Sequence, residues 1–73
     1  MTRFKRVRAG RLYRYMPVPM DRLDPKSSAS DGQRVRVIRQ PGCPPPGTMG
    51  HAHVTDVDGH FLGLVCVNSL SDL

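Results

Sequence analysis

The side chains best equipped for chemistry sit late in the chain. His51 and His53 stand two apart, His60 follows, and Cys66 comes six residues after that. Imidazole and thiolate bind zinc, and a metal would brace a chain too short for a large core. No C-x2-C or H-x3-H spacing organises these four, so polar histidines on the solvated face of a sheet are expected, without a metal. Asp56-Val57-Asp58-Gly59-His60 opens like a calcium loop but lacks the third oxygen ligand and a distal Glu, which leaves a tight turn. Cys43 lies in PGCPPPG, a rigid connector or a polyproline ligand, and has no neighbour that would lower its pKa. His51, Ser69 and Asp72 are the types found in a hydrolytic triad, yet nothing in the sequence brings them together. A phosphate-cradling Gly loop, a G-x-S-x-G turn and paired carboxylates at helical spacing are all missing. Neither enzymatic activity nor a cofactor is expected.

Charge is more informative. All 11 Lys and Arg fall in residues 1–39, against Asp21, Asp24 and Asp31. Residues 40–73 hold Asp56, Asp58 and Asp72 and no base, and the chain has no Glu. Most of the cations are Arg, the residue suited to bidentate phosphate or carboxylate contacts. Such asymmetry points to a polyanionic partner. The binding residues expected are Arg3, Lys5, Arg6, Arg8, Arg11, Arg14, Arg34, Arg36 and Arg39 for phosphates, with Tyr13 and Tyr15 offering faces for unpaired bases. DNA or RNA is the favoured partner. The alternative is an adaptor, a subunit of a larger complex or a mobile-element-type inhibitor, whose arginines meet an acidic protein surface. Met49, Leu62 and Leu64 would then serve as apolar anchors.

The elements that must position these residues are short. At 73 residues the chain is one domain at most, and such a chain buries only about 60% of its unfolded surface. Seven Gly and seven Pro favour strands and turns over long helices. A multi-domain enzyme, a membrane-spanning helix and a coiled coil are excluded. Residues 1–16 read as a basic strand or arm, with loose alternation over 11–16. Pro17 and Pro19 impose an extended segment, and 24–33 is a polar loop. Arg34-Val35-Arg36-Val37-Ile38 is a strand with valines on one face and arginines on the other. His51–Val57 and His60–Val67 form a hairpin turned at Asp58-Gly59. A two-residue turn sets His51 opposite Cys66 and His53 opposite Leu64, and gathers Ala52, Val54, Phe61, Val65 and Val67 on the core face. A three-residue Val57-Asp58-Gly59 loop would slip that register by one. Residues 68–73 make a turn and a frayed tail.

Short strands, a polar loop, a Pro/Gly loop and a closing turn describe an all-β, small and strongly bent barrel of four or five antiparallel strands, its core in 34–67. GQRVRVI, GTMGHAHV and DGHFLGLV, followed by a closing SL, resemble the SH3-like barrel group over about the last 42 residues. The resemblance implies a binding fold, as in KOW-type nucleic-acid modules or complex-associated subunits. The aromatic peptide groove of signalling SH3 domains is missing, since the chain has no Trp. The Val-Gln-Ile-Tyr strand of the type II dihydrofolate reductases is also absent, with Leu64-Val65-Cys66-Val67 in the nearest place.

No run of about 18 apolar residues is present to span a bilayer. The basic start lacks the apolar segment of a secretory signal, although an Arg-rich, acid-free start also resembles an organelle transit peptide. Two cysteines are not a disulfide framework, so free thiols in a reducing cytoplasm are expected. Exposed sheet edges would allow a homodimer.

Overall fold

The computed structural model describes residues 4–73. Among these residues six antiparallel strands and one short α-helix follow each other as β1 (Leu12–Tyr15), α1 (Pro19–Leu23), β2 (Lys26–Ser27), β3 (Arg34–Ile38), β4 (His51–Thr55), β5 (Phe61–Cys66) and β6 (Leu70–Asp72). They form a single sheet in the order β2-β5-β4-β3-β1-β6. The fold is all-β as expected, but the sheet is not closed into a barrel: β2 and β6 are its edges. Residues 24–33 contain a strand, and residues 70–72 pair with β1 instead of fraying. Pro19 does not continue the extended segment. It opens α1, where its fixed φ and missing N–H suit the first helical turn.

The core forms where strand alternation points apolar side chains inward. Val35 and Val37 of β3, Ala52 and Val54 of β4, and Val65 of β5 pack with Tyr13, Tyr15, Val67 and Leu70. Each fully buried Val contributes about 1.5 kcal/mol or more. The N-terminal arm lies against this cluster through Val7, and the Arg8 N–H donates to the Tyr13 hydroxyl.

The β4–β5 hairpin combines the two registers weighed from sequence. Its loop is the three-residue one: the Gly59 N–H donates to the Asp56 carbonyl, with Gly59 at φ +94°. Next to the loop Thr55 therefore opposes Phe61. A bulge then absorbs one residue, Leu62, and Val54 opposes Gly63. From there the register is the one expected for a two-residue turn, with His53 opposite Leu64 and His51 opposite Cys66. The bulge corrects one core assignment. Leu62 turns toward the core, while Phe61 stays 54% exposed. Gly63, at φ +126°, is required because a Cβ there would strike the Lys26 carbonyl of β2.

Helix α1 is held to the end of β5 by a buried carboxylate. Asp21 accepts hydrogen bonds from the Ser69 hydroxyl at 2.6 Å and the Cys66 N–H at 3.1 Å. Burial alone would raise its pKa, but these bonds outweigh it and hold the carboxyl below its usual value. The Ser69 hydroxyl also accepts from the Val18 N–H, so the turn before β6, the helix and β5 share one network.

Candidate nucleic-acid interface

Residues paired across antiparallel strands point to the same side, so the register maps the outer face of the sheet. Arg14 of β1 lies directly opposite Arg34 of β3, and Leu12 opposite Arg36. Arg36 opposes Thr55, which in turn opposes Phe61. Ile38, His53 and Leu64 form the next row. Three arginines on two adjacent strands thus share a face with the exposed Phe61, whose ring centroid lies 5.9 Å from that of the partly buried His53 at a 32° tilt.

None of these three arginines is ion-paired among the described residues. Arg14 donates to the Gly32 carbonyl and Arg36 to the Gly10 carbonyl, each at 2.8 Å. Those neutral acceptors orient the guanidinium groups without cancelling their charge. Like charges directly opposite each other on a sheet are destabilising, and an anion lying across Arg14 and Arg34 would relieve that repulsion.

The other expected residues divide. Lys5 and Arg11 reach Asp72, at 3.3 and 3.9 Å, and both lie 5.6 Å from the centre of the Tyr13 ring. Arg22 pairs with Asp31 and Lys26 with Asp24. Arg6, Arg8 and Arg39 are exposed and have no ion pair among the described residues, but Arg6 and Arg8 belong to the arm that covers the core. Arg3 lies outside the described residues. The positive charge is therefore spread over more than one surface, with Arg14, Arg34 and Arg36 sharing the outer face of β1 and β3. Tyr13 and Tyr15, expected to stack on bases, are 1% and 3% exposed and build the core instead. On this face the accessible ring is Phe61, with the partly buried His53 next to it. Sequence reasoning had placed Phe61 in the core, and only the register shift of the bulge could have revealed its position.

The expected histidine and cysteine group is also split. His60 bonds Asp56 at the hairpin loop, and His51 approaches Cys66 at the other end of the same strands. Asp56, Asp58 and His60 bring ligand atoms within 4.8 Å of one another. Asp56 Oδ1 is already occupied by the Asp58 and His60 N–H groups, which hold its carboxyl below the usual range. Both cysteines are free. Burial and the neighbouring Asp21 push the Cys66 thiol up to about 11, which makes it a poor nucleophile near neutral pH.

The sequence matches no family model, and neither curated proteins nor solved structures show significant similarity to the chain.

Proposed function

We propose that this protein binds single-stranded nucleic acid across the outer face of its sheet. Arg14, Arg34 and Arg36 take the phosphates, and Phe61 with His53 takes an unpaired base. The observation that carries this reading is the direct opposition of Arg14 and Arg34, with no carboxylate partner among the described residues, on the same face as an exposed aromatic ring. Nucleic acid satisfies both features at once, since its phosphates meet the cations and its bases have faces to stack. In this reading the chain acts by binding and is not an enzyme. The strand and loop placement of its last 42 residues supports an SH3-like strand arrangement in an open sheet. Two free cysteines support a cytoplasmic setting.

Anisotropy titration of a labelled random single-stranded oligonucleotide at several salt concentrations tests the reading. Three neutralised phosphates predict a log-log salt slope near −2 on single strands. Replacing both Arg34 and Arg36 by Ala should shrink that slope to about −0.7. Phe61→Leu should weaken binding roughly fivefold, the loss of about 1 kcal/mol of stacking, with little change in slope. Absence of binding at low salt eliminates the proposal.

A second reading, a protein adaptor, is favoured by a different observation: Phe4, Met20, Leu23 and Met49 are large, apolar and exposed. Of the apolar anchors expected for it, Met49 is accessible, whereas Leu62 and Leu64 are partly buried. The edges β2 and β6 would allow a homodimer in either case. Capture of an acidic protein partner, together with absent oligonucleotide binding, would select the adaptor.

A further inference from the structure

At the end of the hairpin remote from its loop, a groove of about 290 Å3 is lined by Phe4, Val18, Met20, Met49, His51 and Cys66. We propose that Cys66 Sγ, Met20 Sδ and His51 Nε2 form a binding site for a soft monovalent metal ion of the Cu(I) class.

Three independent pieces of the fold deliver these atoms. The β4–β5 register sets His51 directly opposite Cys66, and α1 brings Met20 from the side. Cys66 Sγ lies 3.9 Å from Met20 Sδ and 3.8 Å from His51 Nε2. A trigonal site with bonds of about 2.3 Å to sulfur and about 2.0 Å to nitrogen requires ligand separations of about 4.0 and 3.7 Å. Both separations measured from Cys66 Sγ match those of such a site.

The histidine is also oriented as a ligand. Its Nδ1 lies 3.0 Å from the Met49 carbonyl oxygen. A carbonyl can only accept, so Nδ1 carries the proton and Nε2 turns its lone pair toward the thiol. Metal-binding histidines are fixed in this way, the second ring nitrogen donating to a backbone carbonyl. Met49 is also the only described non-glycine residue with positive φ, at +53°, a costly conformation. Its side chain is 84% exposed on the same groove, within the region from which a further thioether could approach.

Donor chemistry selects the ion. Thiolate and thioether ligands favour Cu(I), whereas magnesium and calcium demand oxygen. Binding would exchange one cation for one proton: the Cys66 S–H bond breaks, an S–metal bond forms, and the proton leaves to solvent. No redox change is involved. Asp21, hydrogen-bonded to the Cys66 N–H, adds negative charge close to the bound cation.

Anaerobic titration of Cu(I), held reduced with ascorbate and competed with bicinchoninate, tests the site in a Cys43→Ser protein, where Cys66 is the sole thiol. One equivalent should bind, with an ultraviolet sulfur-to-copper charge-transfer band. Met20→Leu conserves volume at a position 65% exposed, so the fold should persist while affinity falls at least tenfold. Cys66→Ser should abolish stoichiometric uptake, and His60→Gln should change nothing. The proposal is overturned if the Cys43→Ser protein takes up no Cu(I) in competition. It is equally overturned if Met20→Leu binds as tightly as its parent, or if Zn(II) displaces Cu(I) at equal concentration.

Discussion

The two ends of the β4–β5 hairpin carry similar residue types and reach opposite results. At the loop end, Asp56, Asp58 and His60 converge, but the Asp56 carboxylate is consumed in holding its own turn together. At the other end, Cys66, His51 and Met20 converge on a groove, and the backbone carbonyl beside His51 leaves Nε2 facing the thiol. Proximity of donors is therefore a weaker signal than the state of their lone pairs. The loop end spends its polar atoms on conformation, and the strand end is anchored by Asp21 through Ser69 and the Cys66 N–H.

The sharpest way to break this contrast is to remove the buried support. Asp21→Ala strands the Ser69 hydroxyl and the Cys66 N–H without their acceptor, so urea denaturation should show a loss of about 3 kcal/mol. In so small a domain that loss corresponds to a fall in Tm of more than about 10 °C. Gly63→Ala should follow at about 2 kcal/mol, because a positive φ and contact with the β2 backbone act together. Gly59→Ala, with open space around it, should cost only about 1 kcal/mol of backbone strain. Smallest is Asp56→Ala, which loses exposed turn bonds and should lower Tm by a few degrees. A larger effect at Asp56 than at Asp21 would reverse the comparison.

Acid sharpens the same point. Both carboxyls titrate below their ordinary values in the folded protein. Their contribution is therefore present above the normal carboxylate range and is lost as pH falls through the folded values. Thermal unfolding between about pH 5 and pH 2 should show Tm falling with pH. Asp21→Asn should flatten that dependence more than Asp56→Asn.

Much of the fold was legible because strands write themselves in alternation. RVRVI announces its valine and arginine faces, and HAHV with GLVC announces two facing strands, although only the bulge restores the pairing of His51 with Cys66. The orientation of Arg34 and Arg36 followed from the same period. The candidate interface was only half visible. Its arginines could be seen, but its ring could not, since Tyr13 and Tyr15 satisfy a basic-aromatic pattern while their burial depends on the whole sheet. The sulfur site had one further missing part: Met20, in a helix that Pro17 and Pro19 concealed behind an extended reading.

Alternation and glycine placement, acting over a few residues, settled from sequence which side chains share a face and that the chain is β-rich. Tertiary structure alone decided that the sheet stays open, that a one-residue bulge moves Phe61 outward, and that α1 carries Met20 to Cys66. The last of these depends on contacts between residues more than 40 positions apart, those of Asp21 with Cys66 and Ser69. Their energies come from burial and shared hydrogen bonds that no local pattern records.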